Sequence, residues 1–157
     1  MAQQWTAGTT SGSVLTAATL NTIGAVWETY TPTLTASTTN PNLGSTGTAS
    51  GRYARVNKIV IGNAQFTFNG AGIAAGLGFY FCSLPITAQA VGVAAGNANA
   101  IDVSTFASIQ NSLATDTTTR LIGIGTGGAS LAGSIQSNTF VWAAGDFIRF
   151  TFCYEAA

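Results

Sequence analysis

Five side-chain carboxylates are the acid–base resources of this chain: Glu28, Asp102, Asp116, Asp146 and Glu155. Two carboxyls flanking a sugar at the proper separation could support glycoside hydrolysis. These five are scattered, and none pairs with a recognisable nucleophile. The chain has no histidine. That excludes a Ser-His-Asp triad, a Cys-His pair and a His-ligated metal. Asp146 follows Gly145, where an Asp commonly accepts hydrogen bonds from local backbone. Cys82 and Cys153 could form one bridge. The burial habit of free cysteine favours two buried thiols instead. Glycines 70, 72, 76 and 78 form one string, and glycines 123, 125, 127 and 128 a second. A dinucleotide fingerprint needs a strand before it, a helix after it and an acidic residue about 20 positions on. Neither string is followed by a helical pattern, so both read as flexible loops at the ends of a β-domain. No enzymatic activity, cofactor or metal is expected.

The cations are four arginines and one lysine. They are too few to neutralise many phosphates, which argues against nucleic acid as a partner. Arg52, Arg55 and Lys58 surround one hairpin, with the two arginines on opposite parities. They read either as a solvated turn or as subunit contacts to Glu155 or Asp146 of a neighbouring copy, with Arg149 a further candidate contact.

The 157 residues carry zero formal net charge, and only 6% are charged. An ordinary soluble domain has roughly 25%. Polarity comes instead from 24 Thr, 12 Ser, 10 Asn and 6 Gln, while 46% of residues are hydrophobic. Such a chain is not a disordered tail. No run of about 18 apolar residues exists, so no membrane span is expected. Neither is a signal peptide, since no basic segment precedes an apolar one. A monomer normally keeps itself soluble with interspersed charge. A neutral Thr/Ser/Ala/Gly surface therefore points to a chain that packs against neighbours.

The elements that must position these residues divide at about residue 28. Residues 1–28 read as an arm containing a short helix, with Thr16 as N-cap and Leu20, Ile23 and Trp27 on one face. A helix this short is marginal alone and must pack on its own domain, a sister copy or a larger scaffold. Trp5 stands in a small-residue segment with no local apolar cover, which makes it a candidate anchor into a partner.

Residues 29–157 read as one β-domain. Thr48–Val56 and Ile59–Phe68 form a hairpin about Asn57-Lys58, since Asn tolerates positive φ. Val60, Ala64, Phe66 and Phe68 share the buried parity, and Asn63, Gln65 and Thr67 the exposed one. GFYFCSLP reads as an aromatic strand ending at Pro85. Residues 88–100 read as small and flexible. TFVW and DFIRFTFCYE read as a strand pair joined by Ala143–Asp146. Ile148, Phe150, Phe152 and Tyr154 face the core, opposite in parity to Arg149, Thr151, Cys153 and Glu155. Many short strands between Gly-rich turns imply an all-β, jelly-roll-like antiparallel sandwich of about eight strands. Sheet edges are normally blunted with charge or proline. This chain has little charge to use, so neighbouring copies are expected to cover them.

The order LTAATLN, WETYTPTLT, GRYARVNKIV, SLP and GDFIRFTFCYEAA spans nearly the whole chain. It resembles small tailed-bacteriophage virion proteins of the decoration, head-fibre, minor tail or tail-fibre type. The resemblance rests on Trp27, Tyr30, Thr31, Pro32, Thr33, Gly51, Arg52, Tyr53, Arg55, Gly145, Asp146 and Ile148. Asn57 stands where the family often has Gly. The resemblance implies a trimeric β-sandwich on the virion exterior, its partners being its own copies and capsid or tail proteins. Trp5, Leu20, Ile23 and Trp27 would dock the arm. With no shaft, a capsid decoration (cement) knob is expected ahead of a tail protein that binds host glycan. Such glycan binding would use the loops around 69–78 or 123–134.

Overall fold

The computed structural model describes residues 26–124 and 141–157. The described chain is all β, with nine strands. These are β1 (Glu28–Tyr30), β2 (Leu34–Ala36), β3 (Thr48–Val56), β4 (Ile59–Thr67) and β5 (Tyr80–Ser83). β6 (Ala94–Ile101), β7 (Ser108–Thr117), β8 (Arg120–Ile124) and β9 (Phe147–Glu155) follow. No helix among the described residues is long and apolar enough to cross a membrane.

All nine strands belong to one antiparallel sheet in the order β1-β3-β4-β9-β6-β7-β8-β5-β2. Its two edges, β1 and β2, are neighbours in sequence, separated only by Thr31-Pro32-Thr33. From Tyr30 to Leu34 the chain can reach about 14 Å at most. The sheet must therefore curl until its edges stand a short step apart. Pro32 has no N–H to leave unpaired at the changeover and is fully buried. Ser83 secures the far side: its Oγ accepts from Thr33 N at 2.8 Å, and its N–H donates to Thr33 O at 3.1 Å.

The hairpin expectation holds. β3 and β4 pair from Thr48↔Thr67 to Val56↔Ile59 around Asn57-Lys58, with Asn57 at φ 54. The two parity readings hold as well. Val60, Ala64, Phe66 and Phe68 are buried, as are Ile148, Phe150, Phe152 and Tyr154. These residues meet Leu34, Tyr80, Cys82, Leu113 and Leu121 from the other half of the curl in one core. Each buried large apolar side chain contributes about 2 kcal/mol.

The centre of the sheet alternates large and small residues. On β9, Phe150 lies between Ala64 of β4 and Ala98 of β6, and Phe152 between Gly62 and Gly96. A methyl on Gly62 would come within 2.6 Å of the Phe152 ring. At Gly96 a methyl would meet the Thr151 carbonyl oxygen at 2.1 Å, and φ is +138. This explains why the 88–100 reading fails. Residues 94–101 are a central strand, not a flexible stretch: Ala98 stands small beside Phe150, and Gly96 lets the β9 backbone approach closely at Thr151. Ala, Gly and Asn have low strand propensity, and packing overrides it.

Two further expectations change. Val141 and Trp142 are not in a strand, and β9 pairs with β4 and β6 rather than with a preceding TFVW strand. Trp142 instead stacks on Phe68 at 4.3 Å and lies 6.0 Å from Tyr80, plugging one end of the core. The arm helix from Thr16 lies outside the described residues except for Val26 and Trp27, which lead without helix into β1.

Gly62→Ala is expected to lower unfolding free energy by roughly 1–3 kcal/mol through overpacking. Adding Phe152→Leu should recover part of that loss, giving a favourable coupling in a denaturant double-mutant cycle.

Candidate functional site

Four of the five carboxylates, Glu28, Asp102, Asp116 and Asp146, serve structure. Asp146 is buried at the tight turn before β9. Its Oδ1 accepts from Val103 N at 2.9 Å and its Oδ2 from Ala143 N at 2.7 Å. Asp102 opens the β6–β7 turn, where its Oδ1 accepts from the Ser104 hydroxyl (2.7 Å), Ser104 N (2.8 Å) and Thr105 N (3.1 Å). Hydrogen bonds from Ser104, then Thr105, hold this carboxyl below its ordinary 3.8. Asp116 pairs with Arg120, which also lies 4.0 Å over the Phe81 ring. Glu28 accepts from the Tyr53 hydroxyl. Among the described residues no group of three or more His, Cys, Asp or Glu could hold a metal ion.

The arginines proposed as subunit contacts are engaged within the chain. Arg52 stands 5.0 Å over the Trp27 ring. Arg55 Nε donates to Asn57 O at 2.6 Å. Arg149 donates from Nε (3.2 Å) and Nη2 (2.7 Å) to Gln65 Oε1 and lies 5.4 Å over Phe147. Glu155 is exposed at the end of β9, opposite Ile59. The four are not brought together: Arg52, Arg149 and Glu155 share the outer face at different heights, and Arg55 has the inward parity.

The cysteines are both free. Cys82 is buried, and desolvation pushes its thiol up to about 12. Cys153 is exposed on the outer face, which corrects the expectation that both thiols are buried. Beside Cys82, burial carries the Tyr30 phenol well above its ordinary 10.0. Tyr154 is raised to about 12, chiefly by desolvation, and its hydroxyl donates to Ile86 O at 2.6 Å. These groups hold the closure between the sheet edges and stay protonated.

The outer face is where polar side chains gather. Strand register places Ser50, Gln65, Arg149, Asn99 and Gln110 in one row across β3, β4, β9, β6 and β7. The next row is Arg52, Asn63, Thr151, Asn97 and Ser112. Toward the hairpin tip the face turns apolar. Val56, Ile59 and Ile61 are exposed there, as is Trp27, half-exposed where the chain enters β1. At the opposite end Thr67, Phe147 and Ile101 share a row, and the β6–β7 turn presents Phe106, 86% exposed at φ 58. A phenylalanine at positive φ is a genuine backbone outlier.

Of the anchoring residues, Trp27 lies on this face, whereas Trp5, Leu20 and Ile23 lie outside the described residues. The glycine string at 69–78 forms a backbone ladder with residues 37–47. Asn42 and Ala74 exchange N–H···O bonds of 2.8 and 3.0 Å, and Leu77 N donates to Thr39 O at 2.8 Å. All four glycines there lie at positive φ, so they are turn-formers that cap the curl. The 123–134 loop is described only at 123 and 124. The alternation Asn63-Gln65-Thr67 marked half of the polar face in advance. The β6 half was missed because its strand was not recognised, although Asn97 and Asn99 already alternate with alanines. No family model, curated protein or solved structure matches this chain.

Two outcomes follow from these geometries. A group with a lowered folded pKa stabilises the fold above its unfolded value, and that gain disappears as pH falls through the folded value. The urea-midpoint difference between the protein and Asp102→Asn should therefore hold at neutral pH and shrink below pH 3.8. A maleimide at pH 8 should label Cys153 in the folded protein and Cys82 only after unfolding, as read by peptide mass mapping.

Proposed function

We propose that this chain is a non-enzymatic bacteriophage virion structural protein, an exterior homotrimeric knob docked on the particle through its N-terminal end. The observation that carries this reading is the apolar collar where the arm enters the sheet. Trp27, Val56, Ile59 and Ile61 stand exposed at the hairpin-tip end of an outer face whose middle rows are polar. Exposed contiguous apolar side chains mark interaction surfaces. The collar lies beside Val26 and Trp27, through which the arm would reach the particle. The trimer and the virion come from the sequence resemblance. In this reading the facing halves of the curled sheet act as the jelly-roll-like sandwich of such modules. The carboxylates support the non-enzymatic assignment, because Asp102, Asp116 and Asp146 are committed to turns and to Arg120.

A cement role on the capsid is the leading placement, since a compact domain on an apolar foot can bury surface across several shell subunits. The second reading is a tail protein that binds host glycan, and the neutral amide and hydroxyl rows favour it.

Ile59→Asp combined with Ile61→Asp alters exposed positions and should leave the circular dichroism spectrum unchanged. The variant should be lost from purified particles by quantitative immunoblot. Incorporation at the normal copy number would refute the docking end. Particles without the protein should release DNA at a lower temperature if the placement is capsid cement, and at the same temperature if it is the tail.

A further inference from the structure

We propose that the polar outer face binds an acidic polysaccharide whose charge is a sugar carboxylate. The two rows contribute two guanidiniums, Arg52 and Arg149, and no carboxylate. The face thus complements a ligand that is sparsely anionic and rich in hydroxyls. Arg149 is already oriented, because two of its donors are held by Gln65. Three of its five N–H groups remain for a carboxylate fork.

Strand spacing sets the ligand's charge spacing. Arg52 lies on β3 and Arg149 on β9, two strands and one row apart. That places their Cα atoms roughly 12 Å from each other. Carboxylates two or three sugars apart would engage both.

Other partners fit less well. The middle of the face lacks the apolar anchors on which a protein interface depends. Two guanidiniums are too few for nucleic acid. A symmetric contact between two such faces would set like charges against each other. Phe106 supplies what the rows lack. It stands 86% exposed at the end of the face beyond Ile101. A non-glycine residue at positive φ costs of order 1–3 kcal/mol, and such strain clusters at binding sites. An exposed aromatic ring there can stack on the apolar face of a pyranose. This inference rests on the proposed exterior placement only for the face being outward, since the isolated protein tests the surface itself.

The test is calorimetric titration of the purified full-length chain with oligogalacturonate, hyaluronate and a sialic acid polymer. Dextran and polyglutamate of equal length are the comparisons. At least one acidic polysaccharide should bind, with affinity falling as salt rises. Arg149→Gln and Arg52→Gln should each weaken it about tenfold. Phe106→Gly should weaken binding while leaving Tm equal or higher, since it relieves the positive φ. Lys58→Gln should change nothing. Binding of none of the three polymers would overturn the proposal, as would equal binding of dextran or polyglutamate. A changed sedimentation coefficient in the arginine variants would also overturn it, by making the face an interface between copies. None of these outcomes bears on particle incorporation of the Ile59/Ile61 variant, so the two readings fail separately.

Discussion

The fold depends on fitting the aromatic ridge of β9 into the middle of the sheet. Phe150 and Phe152 project inward from a strand paired on both sides. Their neighbours in register are Ala64 and Ala98 for the first, and Gly62 and Gly96 for the second. Interiors pack at crystal-like density, so rings of this size require small partners beside them. The chain meets that requirement with small residues at the four flanking positions, Gly62 and Ala64 on β4 and Gly96 and Ala98 on β6. β6 is held as a strand by its two neighbours and not by its own propensity.

The second constraint is closure. A nine-stranded sheet whose edges are joined by Thr31-Pro32-Thr33 cannot stay flat. Curling brings the β2–β5 half over the β4–β9 half and encloses the ridge. Ends left open by the curl are closed by irregular chain. Trp142 stacks on Phe68 at one place, and the paired segments 37–47 and 69–79 lie across the opening nearby. The buried Asp146 ties the Trp142 segment to the β6–β7 turn, since it accepts from both Ala143 and Val103. In a chain with five side-chain carboxylates, this use of acids as loop-holders leaves Glu155 as the exposed carboxylate of the outer face.

Both proposed surfaces depend on that economy of charge. With Asp102 and Asp146 committed to turns, Asp116 to Arg120 and Glu28 to Tyr53, the outer face is graded along the strands. It runs from apolar side chains at the hairpin tip, through amides, hydroxyls and two guanidiniums, to the exposed ring of Phe106. An apolar foot and a polar flank carrying two guanidiniums suit a module held at one end and open along its side. The gradient is continuous over about 27 Å of strand, the length of β4. Docking and ligand recognition can therefore occupy the same face without competing.

Much of this was legible in residue order alone. Period-two alternation in Ile59–Thr67 and Phe147–Glu155 determined which side chains face the core, because a strand sends successive side chains to opposite faces. Asn57-Lys58 determined the hairpin register, because a two-residue turn requires positive φ and leaves little slack. The absence of histidine excluded whole classes of chemistry without any structure. Tertiary structure decided what depends on partners distant in sequence. Ala98 and Gly96 read as loop until Phe150 and Phe152 are placed beside them, since a small residue carries no signal of the space it leaves. The Thr31–Thr33 bridge reads as a mere loop until β1 and β2 prove to be opposite edges of one sheet. Alternation in Phe147–Glu155 already sets Cys153 on the outward parity, against the general burial habit of free cysteine, whereas the burial of Cys82 is decided only by the place of β5 between β8 and β2. The polar face lies between these two cases: its β4 half shows in the alternation, and its full width exists only once five strands are in register.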